Sequence, residues 1–224
     1  RRGPPRTPAA RVTDTHPARP VRHSMAGLIA GAGFASGDRL VVGHWSITPL
    51  GPFSDVMWAD PDGRRTLWVP DERVGDFISA VYEFDAVEVT DLEVAGDPHH
   101  LVARAGWFDL ELTGGRARPI PVRRPAWFTR RVEGPIARAV MGVRTYGVSP
   151  TGVREWYRAD AWHPVTGGHL TVRGEDLGTP GPVRPAAGFG FSEPPEKPTI
   201  TRVRPLLEDP TGALDALLDR LRAT

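Results

Sequence analysis

The sequence predicts an α+β domain built on a curved antiparallel sheet or partly closed β-barrel, with three helices packed on it. Short runs of alternating apolar and polar residues follow one another along the chain, separated by turn residues. Helical patterns occur singly between these runs rather than in strict alternation with them, which argues against a doubly wound sheet. Around nine strands in one domain would curl, because closure removes exposed sheet edges.

The composition is that of an ordinary globular protein. Of 224 residues, 40% are hydrophobic and 25% are charged, so a core can be buried without disulfides. The chain has no cysteine, which excludes thiolate metal sites and cysteine nucleophiles. No apolar run approaches the ~20 residues of a membrane span. We therefore expect a soluble, cytoplasmic protein whose residues 25–224 form one domain.

The first 24 residues differ from the rest. They hold six arginines, five prolines and a single acid, and they lack the apolar residues of a core. We interpret them as a disordered arm, and an over-extended reading frame that should begin at Met25 is the simplest explanation. The arm contributes five net positive charges to a total of +1, so the remainder has a net charge of −4. Nucleic-acid binding therefore lacks electrostatic support.

The first half of the domain reads as strands followed by a helix. We predict strands over residues 39–48, 54–59 and 65–69, the last two joined by the turn sequence D-P-D-G. Asp71 is a good N-cap, and apolar residues at helical spacing follow it, so a helix is expected over residues 71–82: Val74, Phe77, Ile78 and Val81.

The second half of the domain is also predicted to contain both strands and helices. Strands are expected over residues 86–94, 100–105, 107–112, 144–148, 153–162, 169–173 and 199–203. Residues 126–141 read as a helix broken at Gly134-Pro135, and Asp209-Pro210 begins a last helix with a leucine stripe. Residues 175–197 form a long proline- and glycine-rich segment, which we expect to run over the surface.

One short motif suggests a barrel. Gly43-His44-Trp45 on the first predicted strand resembles the G-x-W that opens lipocalins and related small-molecule-binding barrels. The resemblance covers three residues and implies a ligand inside a barrel. The chain departs from that family by inserting helices at 71–82 and 126–141.

The familiar catalytic and cofactor motifs are absent from the sequence. It contains no P-loop, no dinucleotide-binding glycine fingerprint, no G-x-S-x-G and no H-E-x-x-H. The seven histidines are scattered, and adjacent His99 and His100 would point to opposite faces of a strand. We therefore expect neither a metal nor a cofactor.

The tryptophans and arginines suggest a binding site. Trp45 and Trp58 lie on predicted neighbouring strands, and Arg154, Trp156 and Arg158 share one face of the predicted strand 153–162. An arginine in a partly apolar cavity pairs with a carboxylate or phosphate, and tryptophan supplies a flat apolar wall. These five residues predict binding of a small, mainly apolar or amphipathic molecule with an anionic group, within the curved sheet or barrel. The alternative is that the rings are core and the charges are a solvated face.

Two other functions remain open. The same scaffold would suit an enzyme that uses Glu155, Asp160 or His163 for acid–base work. Residues 116–144 hold eight arginines against one acid, with Trp127 and Phe128 among them. Such a helical face, 126–141, would suit an interaction module or a weak contact with an anionic surface such as lipid headgroups.

Overall fold

The computed structural model describes residues 20–119, 146–190 and 193–223. These parts of the chain form sixteen strands and two helices. In chain order they are β1 Arg22–Ser24, β2 Ala26–Gly33, β3 Arg39–Ile47, β4 Phe53–Ala59, β5 Arg65–Val69, α1 Glu72–Ser79, β6 Ala86–Val89, β7 Glu93–Asp97, β8 His100–Ala105, β9 Phe108–Gly114, β10 Arg118–Pro119, β11 Tyr146–Val148, β12 Arg154–Trp156, β13 Ala159–Val172, β14 Glu175–Gly178, β15 Thr199–Val203, β16 Leu206–Glu208 and α2 Ala213–Ala223.

Twelve of the strands belong to one large sheet. Its order is β6-β5-β4-β3-β2-β15-β13-β9-β8-β7, and β10 and β14 also pair with β13. Neighbouring strands are antiparallel except β5 and β6, which are parallel. A second sheet of four strands has the order β1-β16-β12-β11. The fold is therefore dominated by antiparallel pairing, as the alternating sequence pattern predicts.

The large sheet curls so that two of its arms face each other. On β2, Leu28 and Ala30 are buried in the same apolar cluster as Leu101 of β8 and Leu110 of β9, although β2 and β8 are separated by three strands in the sheet order. Alternate side chains of a strand point to opposite faces, so one face of β2 fills the inside of the curl. The inside is a packed core, because its central side chains are almost completely buried.

The opposite face of the sheet carries a second core. The helices α1 and α2 and the small sheet supply its apolar residues, together with Trp45, Met57 and Phe189. The helix α1 begins at its N-cap, where the Asp71 side chain accepts a hydrogen bond of 2.9 Å from the backbone N–H of Val74. Helix α2 buries a leucine stripe at helical spacing: Leu214, Leu218 and Leu221.

The curved antiparallel sheet with α+β character is confirmed, but the expectation of three packed helices is not matched. Two helices occur in the described residues, within or next to the segments expected at 71–82 and after Asp209. The third expected helix, over residues 126–141, lies outside the described residues. None of the helices in the described parts of the chain has the length and apolar character needed to cross a membrane.

Several local expectations are corrected by the structure. Residues 22–24, assigned above to a disordered arm, form β1 and pair with β16, whereas residues 1–19 lie outside the described part of the chain. The expected strand 86–94 is two strands, β6 and β7. The expected continuous strand 153–162 is also two: β12 ends at Trp156 and β13 begins at Ala159. The chain passes there from the small sheet to the large one.

Candidate functional site

A cavity of about 90 Å³ lies on the outer face of the large sheet, beside the second core. The strands β2, β3, β4 and β15 form its floor. It is enclosed by the small sheet, by Tyr82, which lies three residues after the end of α1, and by the segment before β15. The lining residues are Ile29, Gly31, Val41, Gly43, Trp45, Asp55, Met57, Tyr82, Glu155, Tyr157, Phe189, Gly190, Glu193, Pro194, Pro195, Thr199 and Thr201. The cavity is therefore mainly apolar and aromatic, with a few polar groups, as small-molecule sites commonly are.

The G-x-W motif builds one wall of this cavity. Gly43 on β3 lies directly opposite Asp55 on β4, and Trp45 points to the same face two residues further along. The indole N–H of Trp45 donates a hydrogen bond of 2.9 Å to Oδ1 of Asp55. A Cβ at Gly43 would lie 2.5 Å from Trp45 Nε1 and would overlap Asp55 Oδ1. Glycine is thus required here so that the indole can reach the carboxyl group.

Asp55 is a completely buried carboxyl group. Its exposed fraction is 0%, and its second oxygen, Oδ2, has no hydrogen-bond partner among the described residues. Burial disfavours the charged form and raises the pKa of Asp55 to about 7, against the opposing effect of the hydrogen bond from Trp45. At neutral pH this carboxyl group is therefore divided between its neutral and charged forms.

Glu155 is the second buried carboxyl group of the cavity. It is 2% exposed, and its Oε2 accepts a hydrogen bond of 2.9 Å from the phenol O–H of Tyr82. Burial raises the pKa of Glu155 to about 7, and the Tyr82 hydrogen bond opposes this rise. Burial, and next the charge of Glu155, hold the pKa values of Tyr82 and Tyr157 well above the ordinary value of a phenol. Both phenols therefore remain protonated donors at neutral pH.

A third carboxyl group, that of Glu193, holds the segment before β15 in place through backbone hydrogen bonds. Its oxygens accept hydrogen bonds of 2.7 Å from the backbone N–H of Ala187 and 3.0 Å from that of Gly188. Phe189 follows directly and is buried in the second core. Residues 187–190 and 193–195 of the expected segment 175–197 are thus anchored beside the cavity, whereas the sequence suggested only a surface-running loop.

The structure separates the five residues predicted to form a binding site. Trp45 lines the cavity. Trp58 points to the other face of the sheet, where its ring lies 4.8 Å from that of Trp68 and its N–H donates to Asp38 Oδ1 at 2.6 Å. It packs against the core inside the curl. The two tryptophans therefore cannot line one pocket.

The remaining three lie outside the cavity. Arg154 donates to Glu208 Oε1 at 3.0 Å, and the Trp156 ring packs 5.1 Å from Tyr146. Arg158 is exposed and lies between β12 and β13. Arginine, lysine and histidine are all absent from the described residues that line the cavity. The cavity wall thus offers carboxyl groups where the sequence suggested a cationic clamp.

Of the residues suggested for acid–base work, Glu155 alone lines the cavity. It points to the face of β12 opposite Arg154, as alternation requires. Asp160 forms an ion pair of 2.7 Å with Arg204. The His163 ring is buried, and its Nδ1–H donates a hydrogen bond of 3.0 Å to the Gly115 carbonyl. In the described parts of the chain, histidine and carboxylate side chains form no group of three that could hold a metal.

The sequence reasoning missed Asp55, Tyr82 and Phe189. Asp55 shares a strand face with Met57 and Ala59, and both of these are buried. A carboxyl group on a strand that is apolar on both faces, such as Asp55, indicates unusual burial. A glycine opposite it on the neighbouring strand, here Gly43, leaves space for a hydrogen-bond partner. Tyr82 follows the apolar stripe of α1, and from the sequence its ring is interpreted as part of the hydrophobic core.

Comparisons with known proteins leave the family of this chain open. No family model and no curated protein matches it. A solved structure with a similar arrangement is that of acetoacetate decarboxylase from Legionella pneumophila, with 9% sequence identity over 91% of this chain and 90% of that one, and a TM-score of 0.41. At this level of similarity, the function has to be argued from the chain's own residues.

Proposed function

We propose that this protein is an acid–base enzyme that binds a small, mainly apolar molecule in the cavity and transfers protons to and from it. The observation that carries this proposal is the pair of buried carboxyl groups, Asp55 and Glu155, in one aromatic-walled cavity. A catalytic acid or base works best when its pKa lies near the operating pH, and burial brings both groups there. Paired titratable groups shifted by desolvation are typical of active sites.

The volume and the lining of the cavity determine which molecules it can bind. A cavity of about 150 Å³ holds benzene, which has six non-hydrogen atoms, so 90 Å³ suits a molecule of about four non-hydrogen atoms. The aromatic and aliphatic lining favours apolar surface, and the buried carboxyl groups would repel an anion. Since Arg154 and Arg158 lie elsewhere, an anionic group on the ligand is no longer part of the proposal.

A survey of proton transfer tests the proposal. The protein is incubated in D₂O at neutral pH with compounds of about three to five non-hydrogen atoms, including ketones, aldehydes, alcohols, alkenes and amines. Proton NMR then records deuterium incorporation or isomerisation. We expect at least one class to react, and Asp55→Asn and Glu155→Gln each to slow that reaction by about 100-fold or more, the usual contribution of general acid–base catalysis.

The exposed carboxylate of Glu111 on β9, which pairs with His100, provides a matched control. Glu111→Gln makes the same chemical change outside the cavity and should leave the rate unchanged. The proposal is refuted if no compound reacts, or if the two cavity variants react as fast as the wild type.

A further inference from the structure

The hydrogen bonds of the cavity assign a position to the proton of Asp55. An indole N–H can only donate, so Oδ1 of Asp55, which receives the Trp45 hydrogen bond, must act as an acceptor. In the neutral carboxyl group the proton then resides on Oδ2, the oxygen that has no partner among the described residues. A buried donor without an acceptor is costly, so a ligand that supplies an acceptor oxygen beside Asp55 satisfies it.

The second carboxyl group is placed to be the base. Glu155 Oε2 already accepts the Tyr82 O–H, and a hydrogen bond donated to a carboxylate favours its charged form. Tyr82 lines the same cavity as both acids. The Asp55 carboxyl group also accepts one hydrogen bond, from Trp45, but it is completely buried and its Oδ2 has no partner among the described residues. A buried oxygen without a donor disfavours the negative charge. The proton is therefore assigned to Asp55 and the negative charge to Glu155.

We propose that the substrate is a small uncharged carbonyl compound with hydrogens on the carbon next to the carbonyl, and that the site catalyses its enolisation. This inference rests on the proposed function and names its substrate class. An O–H donor and a carboxylate in one apolar cavity match the two ends of such a molecule: the carbonyl oxygen accepts from Asp55, and the adjacent C–H is presented to Glu155.

The step balances within the site. The Glu155 carboxylate takes a proton from the carbon, and the electrons of that C–H bond form the carbon–carbon double bond of the enol. The carbonyl π electrons move to the oxygen, which takes the proton from Asp55 Oδ2. Glu155 is then protonated and Asp55 ionised. The return step, protonation of the enol carbon by Glu155 and of Asp55 by the enol hydroxyl, restores the starting state. No oxidant, reductant or co-reactant is required.

A shape-matched series of probes tests the substrate class. We choose 2-butanone, 2-butanol and propanoate, each with five non-hydrogen atoms. Binding of each is measured by saturation-transfer NMR, and deuterium incorporation into 2-butanone is followed by proton NMR in D₂O. We expect 2-butanone to bind better than the carboxylate, and to exchange hydrogens faster with the protein than in buffer.

Two variants separate the roles of the acids. Asp55→Asn keeps an acceptor for Trp45 and a donor toward the ligand but cannot transfer a proton, so it should retain 2-butanone binding within about 3-fold and lose about 100-fold or more in exchange rate. Glu155→Gln should lose the exchange to the same extent. Glu111→Gln should retain both. Far-ultraviolet circular dichroism and denaturant midpoints establish that each variant is folded.

Three results would overturn the inference. In the first, propanoate binds more tightly than 2-butanone. In the second, bound 2-butanone shows no accelerated exchange. In the third, folded Asp55→Asn exchanges as fast as the wild type. If proton transfer occurs on another class in the wider survey, the proposed function stands and only the substrate class fails; if no class reacts there, the function fails as well.

Discussion

The buried carboxyl group of Asp55 makes the stability of the fold depend on pH. Its pKa is about 7 in the folded protein, against an ordinary value of 3.8. Between these two values the folded state binds more protons than the unfolded state, so stability decreases as pH rises. The stabilisation is fully present below the unfolded pKa and is lost as pH rises through the folded pKa.

The size of the effect follows from the shift. One pKa unit corresponds to about 1.4 kcal/mol, so the whole shift is worth about 4 kcal/mol. Between pH 5 and pH 8 this one group should remove about 2 to 3 kcal/mol from the free energy of unfolding. That change is a large fraction of the total stability of a typical domain.

The substitution Asp55→Asn isolates this contribution, because an amide does not titrate and still accepts the Trp45 hydrogen bond. Urea unfolding of the wild type and the variant is measured at pH 5, 6, 7 and 8. The free energy of the variant minus that of the wild type should increase by about 2 to 3 kcal/mol across this range. Glu111→Gln, made on an exposed residue, should show a pH dependence close to that of the wild type. Parallel curves for the wild type and Asp55→Asn would show that the carboxyl group is not shifted, and the acid–base reasoning would lose its basis.

Three further substitutions test the walls of the cavity and the second core. Gly43→Ala inserts a methyl group between the indole of Trp45 and the buried carboxyl group of Asp55, so it should lower the free energy of unfolding by about 1 to 3 kcal/mol. Gly167→Ala, where a Cβ meets open space, should change that free energy little. Equal effects of the two substitutions would contradict the packing argument. Tyr82→Phe removes the hydrogen bond that favours ionised Glu155, so the pKa of the Glu155 carboxyl group should rise further in a carbon-13 NMR titration. An unchanged or lower pKa would refute the role of Tyr82 in stabilising the charge. Leu218→Ala, at a fully buried position of α2, should cost about 2 to 5 kcal/mol in urea unfolding, and a cost below about 1 kcal/mol would show that the helix does not dock.

The strands with clean alternation were predictable from the sequence. The expected strands at 54–59, 65–69 and 199–203 agree with β4, β5 and β15 within a residue. The strand β2, A-G-L-I-A-G-A-G, was missed because small residues give little alternation. Its place between β3 and β15 is decided by contacts far along the chain, which a local pattern does not contain.

The site was predictable only in part, for a geometrical reason. Trp45 and Glu155 were named from the sequence, and both line the cavity. Grouping Arg158 with Arg154 and Trp156 assumed one continuous strand, but the chain changes sheets after Trp156, which removes the common face. Asp55 was missed because a lone acid on a strand normally indicates the solvent side. The structure covers both faces of that strand.

The position of β2 in the large sheet also governs how the chain can fold during synthesis. Gly31 pairs with Thr199 across the β2–β15 ladder, so one edge of β2 stays open until the residues around Thr199 have been made. At about 5–20 residues per second, that interval is on the order of ten to thirty seconds. Pairing at such sequence separation is slow and leaves an apolar strand edge available to other nascent chains.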